Sequence, residues 1–144
     1  MKFHEHAHAA PAPRTLVLFS PSGVVAHRAV ARRAMARLRR LGFEVSLDED
    51  ALTRHQRFAG DDDTRLAALY RVADGGSDIA MALRGGYGLT RLLDRLDYRR
   101  IGRSIERGTR WVGHSDFTTL QLALLAHGVE GVTYAGPMAC FDFG

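Results

Sequence analysis

An apolar run, "TLVLF" at Thr15–Phe19, stops at a Ser-Pro-Ser-Gly turn over residues 20–23, which reads as a buried strand ending in a sharp loop. Beyond the turn, Val30, Ala34, Leu38 and Leu41 recur at helical spacing. Gly42 stops that helix, and "FEVSL" supplies a second strand, so the first unit is β-α-β with a parallel pair. The segment after Gly60 begins with Asp61, Asp62 and Asp63, acids that suit the positive end of a helix dipole, and continues with Leu66, Leu69 and Val72 on one helical face. "SDIAMAL" is a short strand running directly into "RGGYG". A helical stretch from about Leu89 to Arg107, broken near Leu96–Tyr98, leads to the strand "TRWVG". A helix over Asp116–His127 and a strand in "GVTYAG" complete the alternation. Five strands interleaved with about four helices predict a doubly wound α/β fold, a mostly parallel sheet of flavodoxin-like or class I glutamine amidotransferase-like type with helices on both faces.

With 144 residues, the chain is sized for one domain, covering residues 14–144 behind a disordered tail at 1–13. His4, His6 and His8 lie in that tail, and no His, Cys or carboxylate cluster outside it has ligand spacing, so neither a metal nor a cofactor is expected. The net charge is +4, but 19 of the 20 basic residues are arginines scattered among acids, which argues against a nucleic-acid partner. The densest run, His27 to Arg40, reads as the solvated face of an amphipathic helix. Cys140 is the one cysteine, so no internal disulfide forms and a cytoplasmic setting is expected. There is no apolar stretch of about 18 residues to span a membrane.

In a doubly wound sheet, ligands gather at the carboxyl ends of the strands. Three loops fall there: Ser20–Gly23, Arg84–Gly88 and Gly113–Asp116. The last of them, Gly-His-Ser-Asp between a strand and a helix, has the layout of a nucleophile elbow, with Phe117 where the usual Gly-x-Ser-x-Gly has its final glycine. Ser115 is therefore either a nucleophile or the polar residue that caps a helix. As a nucleophile it would sit beside the free amide of Asp116, with a second oxyanion donor at the Gly86 amide, because Gly85 and Gly86 let bare backbone approach a ligand.

Taken together, "SPSG" at 20–23, "RGGYG" at 84–88, "RLLDRLDY" at 91–98, "GHSD" at 113–116, "GPM" at 136–138 and "DFG" at 142–144 resemble the LD-carboxypeptidase family in order and spacing. These serine peptidases include muramoyltetrapeptide carboxypeptidase and the microcin-immunity hydrolases. The resemblance implies Ser115 as nucleophile, the amides of Asp116 and Gly86 as the oxyanion hole, and Arg84, Gly85, Tyr87 and His114 as residues facing substrate. A structural ion pair is the competing role for Arg84. The implied reaction is hydrolysis of an L,D peptide bond, releasing the terminal D-Ala of a murein tetrapeptide during peptidoglycan recycling.

A serine hydroxyl needs a general base. His114 is a poor candidate because adjacent side chains diverge, and His127 lies about 16 Å along the following helix. The resemblance implies that a Glu and a His from a C-terminal domain, absent from this chain, complete the triad, so that the chain alone is inactive. It also implies a homodimer. Two alternatives remain: an amide hydrolase of the microcin-immunity type, and a non-catalytic flavodoxin-like binding module in which Ser115 only caps a helix.

Overall fold

The computed structural model describes residues 11–144. The expected tail lies almost wholly outside the described residues, as do His4, His6 and His8; Pro11, Ala12 and Pro13 are exposed. The chain runs β1 (Thr15–Phe19), α1 (Arg28–Arg40), β2 (Glu44–Leu47), α2 (Asp62–Asp74), β3 (Ile79–Ala82), two 3₁₀ turns (Leu89–Arg91 and Leu93–Arg95), α3 (Tyr98–Glu106), β4 (Arg110–Gly113), α4 (Phe117–Ala126), β5 (Tyr134–Ala135) and a short α5 (Ala139–Asp142). All strand pairs are parallel, in the order β2-β1-β3-β4-β5. The expected α/β architecture is therefore the observed one.

The sheet is covered on both faces, and side-chain alternation along its strands sorts the core into two layers. Leu16 and Leu18 of β1, with Met81 of β3 and Leu83 just after it, pack with Ala31, Ala34 and Leu38 of α1 and Ala139 of α5. Phe19, Ala80, Ala82 and Trp111 face the other way, against Leu69 and Val72 of α2, Ile101 of α3 and Leu120 and Leu124 of α4. Trp111 is fully buried, edge-on to Phe19 at 5.5 Å, and its indole N–H donates to the Ser104 hydroxyl at 2.8 Å, so the large ring enters the core with its one donor satisfied. Among the described residues, no helix is long and apolar enough to cross a membrane.

Three local expectations differ from the fold. The stretch after Leu89 is not α-helical at first, because Leu92 and Leu96 donate to carbonyls three residues back, and an α-helix begins only at Tyr98 behind its cap Asp97. Leu41 stands 64% exposed, since the helix ends one residue earlier and its buried stripe is Ala31, Ala34 and Leu38. The last strand is only two residues long, paired to β4 through Val112–Tyr134 and Gly113–Ala135.

The order also fixes where a ligand can sit. From β1 the chain moves outward to β2, then returns past β1 to lay β3 on its other side. The loops following β1 and β3 therefore separate at the switch point of the sheet, which opens a crevice at the strands' carboxyl ends. Those loops are Ser20–Gly23 and Arg84–Gly88.

Candidate active site

Ser115 is exposed and takes φ of +59°, a left-handed conformation that costs a residue with a Cβ on the order of 1 to 3 kcal/mol. Close packing surrounds the turn. Phe117, at the first turn of α4, is buried and folds back over Gly113, where an added Cβ would lie 2.7 Å from the phenyl ring. The phenylalanine that replaces the elbow's final glycine thus closes the turn by packing, with Phe19 6.3 Å behind it. Among the described residues, helix α4 has no side-chain cap: Ser115 makes no such bond, and the Asp116 carboxylate instead accepts from the Leu89 amide at 3.1 Å.

The glycine loop meets this turn directly. A Cβ on Gly85 would lie 2.9 Å from Cβ and Oγ of Ser115 and 3.3 Å from the Asp116 nitrogen, so only a residue without a side chain fits there. Gly85 is held by its carbonyl, which accepts from the Gly23 amide at 3.0 Å. In a trans peptide, C=O and N–H point opposite ways, so the Gly86 N–H is directed away from Gly23. The amides of Gly86 and Asp116 donate to no acceptor among the described residues.

The flanking groups are placed as follows. Arg84 is half-buried and donates from Nη1 to the Val24 carbonyl at 3.0 Å, while its Nε is buried without a partner among the described residues. It lines a cavity of about 170 Å³ with Val25, His27, Val30, Cys140 and Phe141. Burial raises the pKa of the Cys140 thiol, with Arg84 opposing. Tyr87 is exposed, its ring 6.3 Å from Phe58. His114 is half-exposed, with Nε2 3.8 Å from the Asp142 carboxylate. His127 closes the far end of α4, stacked on Tyr98 at 3.7 Å, and is no partner for Ser115.

Sequence reasoning missed a fourth loop and a buried cation. Residues 55–59 are tied to the Ser-Pro-Ser-Gly turn by Val24 N–H to Arg57 O and Ala59 N–H to Ser22 O, both 3.0 Å, which brings Phe58 to the same edge. Arg65 of α2 is fully buried and donates to the carbonyls of Pro21 and Gly88 at 3.1 and 3.0 Å and to Asp62 at 2.6 Å. Burial lowers its pKa from the ordinary arginine value, opposed chiefly by Asp62. The signal was present: Arg65 falls in phase with Leu69 and Val72, a charge inside an apolar stripe.

An exposed serine on a strained strand-to-helix turn, pressed by glycine backbone at the switch point of a parallel sheet, defines the class of α/β proteins with a nucleophile-elbow geometry. Residues 16–136 match the family described as LD-carboxypeptidase N-terminal domain, and the chain belongs to that family. It is 34% identical over 113 residues to a Bacillus subtilis protein named "Probable murein peptide carboxypeptidase", covering 77% of this chain and 34% of the relative. The muramoyltetrapeptide carboxypeptidase of Oxalobacter formigenes superposes with a TM-score of 0.78 at 39% identity, over 90% of this chain and 42% of that one. Microcin C7 self immunity protein MccF superposes at 0.82 with 23% identity, over 93% and 40%, a likeness of fold. The chain thus spans about two fifths or less of these relatives.

Proposed function

We propose that the chain is the nucleophile-bearing half of a serine LD-carboxypeptidase that releases the terminal D-Ala of murein tetrapeptides. Ser115 Oγ attacks the carbonyl of the L,D bond, and the amides of Asp116 and Gly86 receive the oxyanion. Arg84, Gly85, Tyr87 and His114 line the substrate. The observation that carries this reading is the left-handed, exposed Ser115 with Gly85 closed against it, geometry that a capping serine does not need. Murein peptide is favoured over a peptide-nucleotide amide because the murein-directed relative is 39% identical and the microcin-immunity protein 23%.

The general base is the part that this reading takes from elsewhere. His127 is bonded to the Ala123 carbonyl and stacked on Tyr98, and a second domain carrying a Glu and a His would supply the base and its orienting carboxylate. We assign the work to the cytoplasm, to a homodimer and to wall fragments under recycling. The test joins residues 1–144 to the part of the Oxalobacter formigenes relative that this chain does not span and follows D-Ala release from murein tetrapeptide. Hydrolysis by the chimera, its loss with Ser115→Ala and none from the 144-residue chain alone are expected. Turnover that survives Ser115→Ala would overturn the assignment.

A further inference from the structure

We propose that Arg65 is a positioning residue for the Ser115 site, acting with the Asp116 carboxylate to fix the Gly88–Leu89 peptide from both sides. That peptide's carbonyl accepts from Arg65 Nη1 at 3.0 Å, and its N–H donates to Asp116 Oδ2 at 3.1 Å. A single peptide plane therefore joins a buried cation on α2 to the residue that follows the nucleophile. The inference rests on the hydrolase reading for its purpose, since it concerns the loop whose Gly85 closes against Ser115.

Several contacts show that Arg65 is built into the loops and not merely tolerated in the core. The same Nη1 reaches the Pro21 carbonyl at 3.1 Å, so the guanidinium holds the Ser-Pro-Ser-Gly turn and the glycine loop together across the switch point. Its face stacks on Phe58 at 4.7 Å, which adds the fourth loop. Its Nη2 bonds Asp62, and Asp62 in turn is gripped by Arg91 through two bonds of 2.9 Å. Gly88, with φ of +134°, leaves room for this: a Cβ there would lie 2.7 Å from Nη1 and 2.9 Å from the Phe58 ring. An apolar side chain in phase with Leu69 and Val72 would fill the stripe without the desolvation cost of a buried cation. What it would lose is the only side-chain donor that the Gly88 carbonyl has among the described residues.

The test is made on the 144-residue chain by ¹⁵N NMR, comparing wild type with Arg65→Met, Arg65→Lys and Asp116→Ala. In Arg65→Met with retained helical circular dichroism, the Leu89 amide should exchange at least tenfold faster while the Leu18 amide in β1 is unaffected. The Gly86 and Asp116 resonances should shift, and Asp116→Ala, which removes the acceptor of the Leu89 amide, should likewise shift Gly86 and speed Leu89 exchange. Arg65→Lys, keeping the cation, should restore part of the protection. Where Arg65→Met does not fold, Arg65→Lys and Asp116→Ala carry the same measurement. A folded variant with unchanged Leu89 exchange and unshifted Gly86 and Asp116 signals overturns the proposal, as does a loss of protection spread evenly over the core. These signals need no turnover, so the expected changes in a chain whose Ser115 proves inert in the chimera would refute the hydrolase reading and leave the clamp standing.

Discussion

On the α2 side of the sheet edge the charged groups are paired: Arg65 serves two carbonyls and Asp62, with only its buried Nε lacking a partner among the described residues, Arg91 holds Asp62, and Asp61 caps the helix through the Thr64 amide at 2.8 Å. On the β4 side, across the glycine loop, Ser115 is strained and exposed, and two amides have no acceptor among the described residues. The paired side resembles a protein interior; the other has the form of a surface waiting for a ligand. Backbone donors left open beside a strained residue are costly for folding and useful for holding a charge that develops during reaction. The contrast suggests that rigidity on one side is what lets the other keep its unsatisfied groups in place.

Damaging the paired side should cost most. Gly88→Ala places a methyl against Arg65 and Phe58 at a backbone angle that L residues avoid, and should destabilise the chain by about 3 kcal/mol in urea unfolding. Gly76→Ala is the control: its φ is +70°, but nothing lies within 4 Å of the added Cβ, so only the conformational cost of about 1 kcal/mol remains. Equal losses at the two positions would dissolve the contrast. Gly85→Ala comes next, at about 1 to 2 kcal/mol, because its φ carries no penalty and the clash falls on Ser115 alone. In the chimera it should abolish labelling of Ser115 by a serine-directed phosphonate, whereas Gly76→Ala should leave labelling intact.

Relief on the open side should act in the opposite direction. Ser115→Gly removes the left-handed strain and should stabilise the chain by about 1 kcal/mol, net of the added freedom of glycine when unfolded, as it eliminates the hydroxyl. A serine that capped α4 would behave otherwise, and its loss would lower the melting temperature. Thermal unfolding of Ser115→Gly beside Ser115→Ala, which keeps the strain, separates the two roles.

The sequence carried most of the frame, for identifiable reasons. Strand alternation such as Leu16 and Leu18 against Val17 and Phe19, with loops broken by Gly and Pro, locates the three loops at the carboxyl edge, and chain order alone predicts that they converge. The 3₁₀ turns over 89–95 were not legible, because leucines three residues apart suit either helix and the choice is made by tertiary bonds such as Asp116 to the Leu89 amide. The elbow layout implies a tight turn at Ser115, but the closure of that turn by Phe117 over Gly113 is a tertiary contact that the motif does not show. Asp61–Asp63 start α2 as the sequence predicts, Asp61 as its cap and Asp62 and Asp63 in its first turn; what the pattern does not show is that Asp62 also binds Arg65 and Arg91 and that Asp63 pairs with Arg95.

The smallest effect expected is on pH, and it tests whether the paired side draws on charge. The hydrogen bond from Arg91 is the largest influence on the Asp62 carboxyl; burial, next in size, opposes it, and the attraction of Arg91 and Arg65 with the Arg65 hydrogen bond keeps the group below its ordinary value of 3.8. In the unfolded chain that carboxyl takes up its proton near the ordinary value, so over the interval between the two values the unfolded state binds more protons and stability rises with pH. The contribution is complete above the unfolded value and disappears as pH falls through the folded one. Urea midpoints measured from about pH 5 downward should therefore decline in the wild type, and the decline should be shallower in Asp62→Asn. Asp78, lowered by bonds from the Thr15 amide and hydroxyl at the opposite end of the sheet, gives the matched comparison. If Asp78→Asn flattens the curve as much as Asp62→Asn, the acid sensitivity belongs to carboxylates generally and the paired edge has no special share in it.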